Sequence, residues 1–324
     1  MKQILIIQTA FIGDAILATA MVESIRTQLP ESSIDFVLRK GNEGLLANNP
    51  HIRTIYIWDK KSGKYSNLRK LAKELRQTEY DALFNLQRFA SAGFLAMRCR
   101  AKFKACFSQS PMAKFHSATI PHDMESGKHE VERNLELLNL WPEMNFEYRK
   151  PKLYPSQEDR AKVESFQSEP YCVLAPASVW YTKQLPKEKW IVLCKSLLKD
   201  KKLYLIGGPS DREYLDEIIQ SSGRVNIQNL AGELTLLQSA ALIEKAQRTY
   251  VNDSAPLHLA SAVNAPVTAF FCSTIPQFGF GPLSDDNQIV EVSVQLSCRP
   301  CGLHGHKSCP EGHFRCANEI NLLG

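Results

Sequence analysis

Short apolar runs alternate with stretches of helical periodicity along the chain. Runs of about four to eight apolar or β-branched residues predict buried strands, and apolar positions recurring every ~3.6 residues predict helices. In the first half, strands are predicted at residues 4–7, 34–38, 52–58 and 82–86, and helices at 15–29, 64–76 and 131–140. This alternation is typical of a parallel sheet covered by helices.

The same pattern restarts after a short interruption. Residues 146–155 have little periodicity and contain Pro151 and Pro155, so we interpret them as a linker. Beyond them, strands are predicted at 171–175, 202–206, 249–252 and 267–271, and helices at 187–199, 211–220, 236–246 and 256–263. We therefore predict two doubly wound α/β domains, residues 1–150 and 156–324, that face a cleft. Ligands of such sheets bind beyond the carboxyl ends of the strands, so the chemistry is expected in those loops.

Length and composition fit this organisation. The 324 residues suffice for two domains, and 44% hydrophobic with 23% charged residues is ordinary for a soluble globular protein. No run approaches the ~18 consecutive apolar residues that a membrane span requires. Gln8, Gly13 and Asp14 interrupt the apolar N-terminus, which favours a buried first strand over a signal peptide. We therefore expect a cytoplasmic protein.

Charge is unevenly distributed between the halves. Residues 1–155 contain 23 basic and 16 acidic residues, whereas residues 156–324 contain 16 and 18. A basic first half suggests an anionic partner, although composition alone favours a merely solvated surface. The chain lacks a Walker A loop and a GxGxxG fingerprint, which disfavours a P-loop NTPase and a classical dinucleotide dehydrogenase.

Two predicted strand-to-helix loops contain candidate catalytic groups. In the first loop Gly13 permits a tight turn, and Asp14 either caps the helix or serves as a carboxylate base kept ionised by the helix dipole. In the loop of residues 176–186, Ser178, Thr182 and Lys183 are candidate ligands of phosphate oxygens. The alternative for this loop is a solvated connection to a helix begun by Pro186.

Two further loops contain candidate donor-binding groups. Gly207 and Gly208 allow close approach of a ligand to the backbone, and Asp211 either binds a ribose hydroxyl or caps its helix. The last loop predicts a helix N-terminus suited to a diphosphate. It contains Asp253, Ser254, Ala255 and Pro256, followed by His258. Asp253 is a candidate ligand of a sugar or ribose hydroxyl, whereas His258 shares a helix face with Ser254 and also fits simple packing.

Two other patterns have both a functional and a structural interpretation. Residues 97–104 alternate apolar and basic residues, which predicts a strand whose basic face attracts phosphorylated lipid, or else a charged edge strand. Its basic residues are Arg98, Arg100, Lys102 and Lys104. Near the end of the chain, four cysteines with three nearby histidines predict either a structural zinc site or packing of the thiols. The cysteines are Cys298, Cys301, Cys309 and Cys316.

Taken in order, the loops make the chain resemble glycosyltransferase family 9, the ADP-heptose:lipopolysaccharide heptosyltransferases. The resemblance rests on Gly13-Asp14, Lys183-x-x-Pro186, Gly207-Gly208 and Asp253-Ser254-Ala255-Pro256-x-His258. It extends to Asn49-Pro50, Trp58-Asp59, Asn85-Leu86-Gln87 and His129-x-Val131-x-Arg133. The cysteine-rich tail looks most like the heptosyltransferase II branch.

The resemblance implies a GT-B fold of two Rossmann-like domains and an inverting transfer that requires no metal or other cofactor. It implies that Asp14 is the base, that Lys183 neutralises the diphosphate, and that Asp253 and Ser254 belong to the donor loop. ADP-heptose would bind mainly the second domain and the lipid A-core acceptor the first, at the cytoplasmic face of the inner membrane by peripheral contact. The acceptor residues expected are Thr9, Gly13, Gln87, Arg88, Arg98, Arg100 and Lys102. No nucleic-acid partner is expected.

Two other functions stay open at this stage. A nucleotide-dependent oxidoreductase on paired Rossmann domains is disfavoured by the missing glycine fingerprint. A non-catalytic nucleotide-sugar binding protein would have the same loops, with Asp14 serving no chemical purpose.

Overall fold

The structure is a computed structural model that describes residues 1–142 and 144–322. Glu143 and residues 323 and 324, with which the predicted second domain ends, lie outside the described residues. The chain divides into two compact units, Met1–Tyr154 and Pro155–Gly324. Each unit contains a six-stranded parallel sheet with helices between its strands.

The first unit contains six strands and four helices. The strands are β1 (Gln3–Ile7), β2 (Ser33–Arg39), β3 (Ile52–Trp58), β4 (Glu79–Asn85), β5 (Arg100–Phe107) and β6 (Ala118–Ile120). The helices are α1 (Ile12–Gln28), α2 (Lys64–Leu75), α3 (Ala90–Arg98) and α4 (Glu130–Leu138). The sheet order is β3-β2-β1-β4-β5-β6. Strands β1 and β2 are almost fully buried, as expected where helices cover both faces of a parallel sheet.

The second unit repeats this architecture. Its strands are β7 (Tyr171–Ala175), β8 (Lys202–Leu205), β9 (Ile227–Asn229), β10 (Arg248–Asn252), β11 (Val267–Phe271) and β12 (Asn287–Glu291). Its helices are α5 (Gln157–Val163), α6 (Lys187–Val192), α7 (Arg212–Ser222), α8 (Leu236–Glu244), α9 (Ala255–Ala262) and α10 (Arg315–Asn318). The sheet order is β12-β11-β10-β7-β8-β9. Read from β9 to β12, it corresponds strand by strand to the order of the first sheet.

Both sheets therefore have the strand order 3-2-1-4-5-6 of a Rossmann fold when each is numbered from its own first strand. The connections reverse direction between β1 and β4, and again between β7 and β10. Ligands of open α/β sheets bind at such reversal points, beyond the carboxyl ends of the strands. The loops that follow these four strands are the places to examine.

The prediction of one strand over residues 97–104 is wrong in its first part. Met97 and Arg98 complete α3, and the strand begins only at Arg100. Strand β5 lies between β4 and β6, so it is not an edge strand either. The predicted helix at 187–199 is also interrupted, because α6 continues as a π-helical turn, Leu193–Leu197.

Candidate active site

In the first unit the loop after β1 delivers a carboxylate to the start of a helix. Helix α1 has Phe11 as its N-cap, and Asp14 lies in the first turn, half-buried. Asp14 is therefore not the N-cap, and the sequence-based capping alternative is wrong. The start of a helix is a favourable place for a carboxylate, so this position is compatible with the base predicted from the sequence.

Buried amides surround this loop at the reversal point. The Gln87 side-chain amide donates to Gln8 Oε1, which also accepts the Ala10 N–H at 3.2 Å. Asn85, the last residue of β4, is fully buried, and its Oδ1 accepts the Gln87 N–H at 3.1 Å. Asn85 Nδ2 has no hydrogen-bond partner within the described ranges, which leaves a donor at the end of the strand. Gln8 was not predicted as a site residue.

A lysine missed by the sequence reasoning also contacts this loop. Lys60 Nζ donates to the Thr9 carbonyl at 2.6 Å and lies 4.6 Å from the centre of the Trp58 ring. Burial, with the nearby charges of Arg39 and Lys64, lowers the pKa of Lys60 to about 8. Lys60 follows strand β3, and its position after a strand of the predicted sheet was the available signal.

The predicted acceptor residues do not form one group. Thr9, Gly13, Gln87 and Arg88 follow β1 and β4 at the carboxyl edge of the sheet. Arg98 and Arg100 precede or begin β5, and Lys102 pairs with Asp81 at 2.9 Å near the amino end of β4. Because all six strands are parallel, these three cations lie toward the amino ends of the strands, on the side of the sheet opposite to Thr9 and Gln87. We therefore correct their assignment to the acceptor site.

In the second unit the loops after β7 and β10 meet in an ion pair. Lys183 Nζ lies 2.7 Å from Asp253 Oδ2, and the two side chains are 16% and 6% exposed. Asp253 Oδ2 also accepts the Thr274 hydroxyl at 2.6 Å. An ammonium has three N–H donors, so one bond to Asp253 leaves donors for an anionic ligand. The pair holds the lysine in place at the reversal point of this sheet.

A buried asparagine fixes the loop that contains Lys183. Asn252, at the end of β10, accepts the Leu185 N–H at 2.9 Å and donates to the Pro176 carbonyl at 2.6 Å. The loop is thus joined at both of its ends to the neighbouring strand. Asn252 and Thr274 were not predicted, because their partners are distant in sequence.

The N-terminus of α9 adjoins the same ion pair. Ser254 is the N-cap with no side-chain capping bond, and Pro256 in the first turn has no N–H to satisfy. With Ala255, these residues form a helix start of the kind that binds phosphate groups. His258 is buried, with its ring 6.4 Å from that of Phe280, which favours the packing interpretation.

Other predicted donor residues have structural roles. Asp211 Oδ2 accepts the Gly208 N–H at 2.7 Å, and a Cβ on Gly207 would lie 2.9 Å from that oxygen. These three residues form a local turn, which favours the structural alternative for Asp211. Thr182 is buried and its hydroxyl is hydrogen-bonded within the protein, which does not fit a phosphate ligand. Ser178 remains half-buried in the loop.

The tail cysteines lie near one another and beside the core of the second unit. Cys298, Cys309 and Cys316 contact the apolar core of the second unit, and all four thiols are free. Burial, with the neighbouring cysteines, raises the pKa of Cys316 to about 11. Within residues 1–142 and 144–322, no three His, Cys, Asp or Glu side chains form a group able to hold a metal ion. Packing of the thiols is the arrangement seen in this structure, and zinc at these cysteines stays a prediction.

Comparisons with known proteins identify the family of this chain. A sequence profile of glycosyltransferase family 9 (heptosyltransferase) matches residues 68–313. Lipopolysaccharide heptosyltransferase 3 of Escherichia coli is 28% identical over 281 residues, covering 82% of each protein. Lipopolysaccharide heptosyltransferase 2 of E. coli K12 is 22% identical over 312 residues, covering 90% of this chain and 88% of that protein.

Solved structures support the same fold. A family 9 glycosyl transferase from Veillonella parvula superposes with a TM-score of 0.80 at 21% identity, covering 89% of this chain and 85% of that one. The ADP-heptose lps heptosyltransferase II of E. coli superposes with a TM-score of 0.75 at 22% identity and 98% coverage of both chains. At such identities the likeness shows the fold alone, which is the predicted GT-B type of α/β protein.

The profile covers about three-quarters of the chain and includes both Lys183 and Asp253. An oxidoreductase and a non-catalytic binding protein are thereby set aside. The chain belongs to glycosyltransferase family 9, the heptosyltransferase family, and is a glycosyltransferase.

Proposed function

We propose that this protein transfers a heptose from ADP-heptose to the inner core of lipopolysaccharide, with inversion at the anomeric carbon. Several of its relatives are named lipopolysaccharide heptosyltransferases, and an E. coli family member of the same fold has been crystallised with ADP. The arrangement in the second unit supports the donor, and the loop containing Asp14 supports the acceptor chemistry.

The observation that carries the proposal is the Lys183–Asp253 pair beside the start of α9. A nucleoside diphosphate carries its charge on phosphate oxygens, which an ammonium and free helix N–H groups bind well. Lys183 and the N–H groups of Ser254 and Ala255 lie at one reversal point, whereas Pro256 has no N–H and the Leu257 N–H donates to the Ser254 carbonyl. We assign the ADP diphosphate to this place.

The transfer follows from these groups. Asp14 accepts the proton of the acceptor hydroxyl while the oxygen of that hydroxyl forms a bond to the anomeric carbon of the heptose. The bond from that carbon to the diphosphate oxygen breaks on the opposite face, and its electron pair leaves with ADP. Lys183 and the α9 amides offset the negative charge that develops there. In this mechanism they take the place of a metal ion, and the sequence has no Asp-x-Asp motif to hold one.

Substitution of Lys183 tests the donor site. Lys183→Ala removes the cation and should weaken ADP binding by about tenfold or more, because charge-assisted bonds to phosphate are lost. Calorimetric titration with ADP measures the change. Lys187→Ala is the matched control. Lys187 lies four residues after Lys183 in the chain and pairs with the exposed Glu217, so this variant should bind ADP normally. Normal ADP affinity in Lys183→Ala would refute the donor assignment.

We further infer that the first unit contacts the cytoplasmic face of the inner membrane. Exposed aromatic residues follow β1, β3 and β4, namely Phe11 at 60%, Tyr65 at 71% and Phe89 at 67% exposure. The Arg39 guanidinium lies 5.3 Å from the Phe11 ring, and Lys64 Nζ lies 5.5 Å from the Tyr65 ring. We call these three aromatic residues the aromatic rim. Aromatic rings with adjacent cations suit the interface of an anionic bilayer.

The contact is peripheral in this proposal. Over the part of the chain that the structure describes, no helix combines the length and apolarity needed to cross a membrane. The proposed acceptor is itself a lipid. Binding of the protein to the membrane surface would therefore raise the concentration of acceptor near Asp14. The same rim adjoins the loop of Asp14, since Phe11 is three residues away in the chain.

A further inference from the structure

Thr182, next to Lys183, is joined by four hydrogen bonds to two other segments. It is 1% exposed. Its N–H donates to the His306 carbonyl at 3.1 Å, and its carbonyl accepts the Ser273 N–H at 3.2 Å. Its hydroxyl oxygen accepts the His306 N–H at 2.7 Å and the Ser273 hydroxyl at 3.0 Å. These hydrogen bonds of Thr182 therefore also fix the backbone position of Lys183, the next residue in the chain.

The same tail segment approaches the lysine side chain. Gly305 has a φ of +76°, and a Cβ there would lie 3.0 Å from Thr182 Oγ1, 3.2 Å from Lys183 Cγ and 3.3 Å from Trp180 Cβ. Only glycine adopts this backbone conformation readily and also leaves room for the neighbours. The aliphatic part of Lys183 thus rests against the backbone of the tail.

The tail segment is itself bonded to the loop on the other side of the ion pair. Arg299 donates to the Cys272 carbonyl at 2.7 Å and to the Thr274 carbonyl at 2.8 Å. The Cys301 N–H donates to the Ser273 carbonyl at 2.9 Å. Thr274 is the residue whose hydroxyl donates to Asp253. Residues 299–306 consequently contact the supports of both members of the Lys183–Asp253 pair, and we call them the tail clasp.

We propose that the tail clasp positions Lys183 and Asp253 for the donor, and that Thr182 and Gly305 are positioning residues rather than ligands. The inference rests on the proposed function, because it takes Lys183 as the cation that meets the diphosphate. It explains why a hydroxyl in the donor loop is buried: it holds the loop to the clasp. The ammonium group of Lys183, paired with Asp253, is then held in one orientation before the donor binds. Binding therefore costs less conformational entropy.

A glycine of the clasp and a glycine outside it provide a matched test. Gly305→Ala should raise the Kd for ADP by about tenfold, because the new methyl group displaces Thr182 and Lys183. Gly312→Ala is the control: its φ is +72°, so the backbone strain is similar, but Gly312 lies outside the clasp and nothing lies within 4 Å of the added Cβ. Calorimetric titration with ADP and thermal unfolding are measured for both. A merely structural role would lower both Tm values alike and leave both Kd values unchanged, which would overturn the proposal.

Two variants of Thr182 give a second test that does not depend on glycine. Thr182→Val keeps the shape but removes the acceptor of the His306 N–H and the Ser273 hydroxyl, so KM for the donor should rise about tenfold. Thr182→Ser restores the oxygen and should return KM to within about twofold of the wild type. Equal KM values in the two variants would contradict a positioning role.

The donor assignment and the clasp can fail separately. If Lys183→Ala binds ADP normally, the proposed donor site is wrong. If Lys183→Ala loses affinity while Gly305→Ala and Thr182→Val keep it, only the role of the clasp is wrong.

Discussion

At the scale of single residues, the two catalytic assignments rest on different local structure. Lys183 pairs with Asp253, and Asp14 lies in the first turn of α1. Both residues were predicted from the sequence, because a strand followed by a polar helix start is readable from the chain alone. Asn252 and Thr274 were not, because each is hydrogen-bonded to a loop residue that is distant in sequence.

Asp14→Asn should separate proton acceptance from structure. The amide has nearly the same shape but cannot accept the proton, so transfer should fall by about two to four orders of magnitude. Loss of the favourable dipole interaction should cost only about 0.3–1 kcal/mol of unfolding free energy. Kinetic assays with saturating donor and acceptor, with ADP titration and thermal unfolding, give the three quantities. Glu31→Gln, which changes an exposed carboxylate beyond α1, should transfer heptose normally.

Lys60 gives a pH-dependent expectation of definite sign. Its pKa is lowered from 10.5 to about 8, so between these values the unfolded chain binds a proton that the folded chain has lost. This group therefore makes the protein more stable as the pH rises from about 8 toward 10.5. In Lys60→Met that contribution is absent. The Tm difference between wild type and variant should shift in favour of the wild type between pH 7 and pH 9.5, and a pH-independent difference would contradict the lowered pKa.

At the scale of elements, the sequence predicts strands that contain a clear apolar or aromatic run better than strands that lack one. The bounds of β3, β7 and β11 coincide with the predicted runs, because these runs are apolar and clearly delimited. Strands β6, β9 and β12 were missed, and each lies at an edge of its sheet. These three strands are short or exposed, so no apolar run marks them, whereas β3 at the other edge of the first sheet has such a run. Helix α3 was missed because the basic alternation that follows it was extended backward into it.

The aromatic rim contains two helix N-caps of an unfavourable type. Phe11 and Phe89 are the N-caps of α1 and α3, and neither side chain makes a capping bond. Serine at an N-cap is worth about 1 kcal/mol more than an apolar residue. Phe11→Ser and Phe89→Ser should therefore leave Tm unchanged or raised, while weakening binding to vesicles that contain anionic lipid. Vesicle co-sedimentation at several salt concentrations measures the loss.

The control for the rim is another exposed phenylalanine. Phe115 is 48% exposed but lies in the connection between β5 and β6, outside the rim. Phe115→Ser should bind vesicles as the wild type does. Equal loss in all three variants, or none in any of them, would argue against the rim as the membrane contact.

At the scale of the whole molecule, charge and function divide between the halves in the same way. The basic first half contains the proposed base and the aromatic rim, and the slightly acidic second half contains the proposed diphosphate site. An anionic lipid acceptor suits the former. A fixed pair of one lysine and one carboxylate, with a helix start, suits the latter because binding there does not depend on general positive charge.

The most direct test of the account is mass spectrometry of the products that the purified protein forms from a panel of nucleotide sugars and a lipopolysaccharide-core acceptor. The account predicts an acceptor enlarged by one heptose residue when ADP-heptose is the donor, with the product nearly absent for Asp14→Asn under the same conditions. Transfer from a different nucleotide sugar in preference to ADP-heptose, or full product formation by Asp14→Asn, would contradict it.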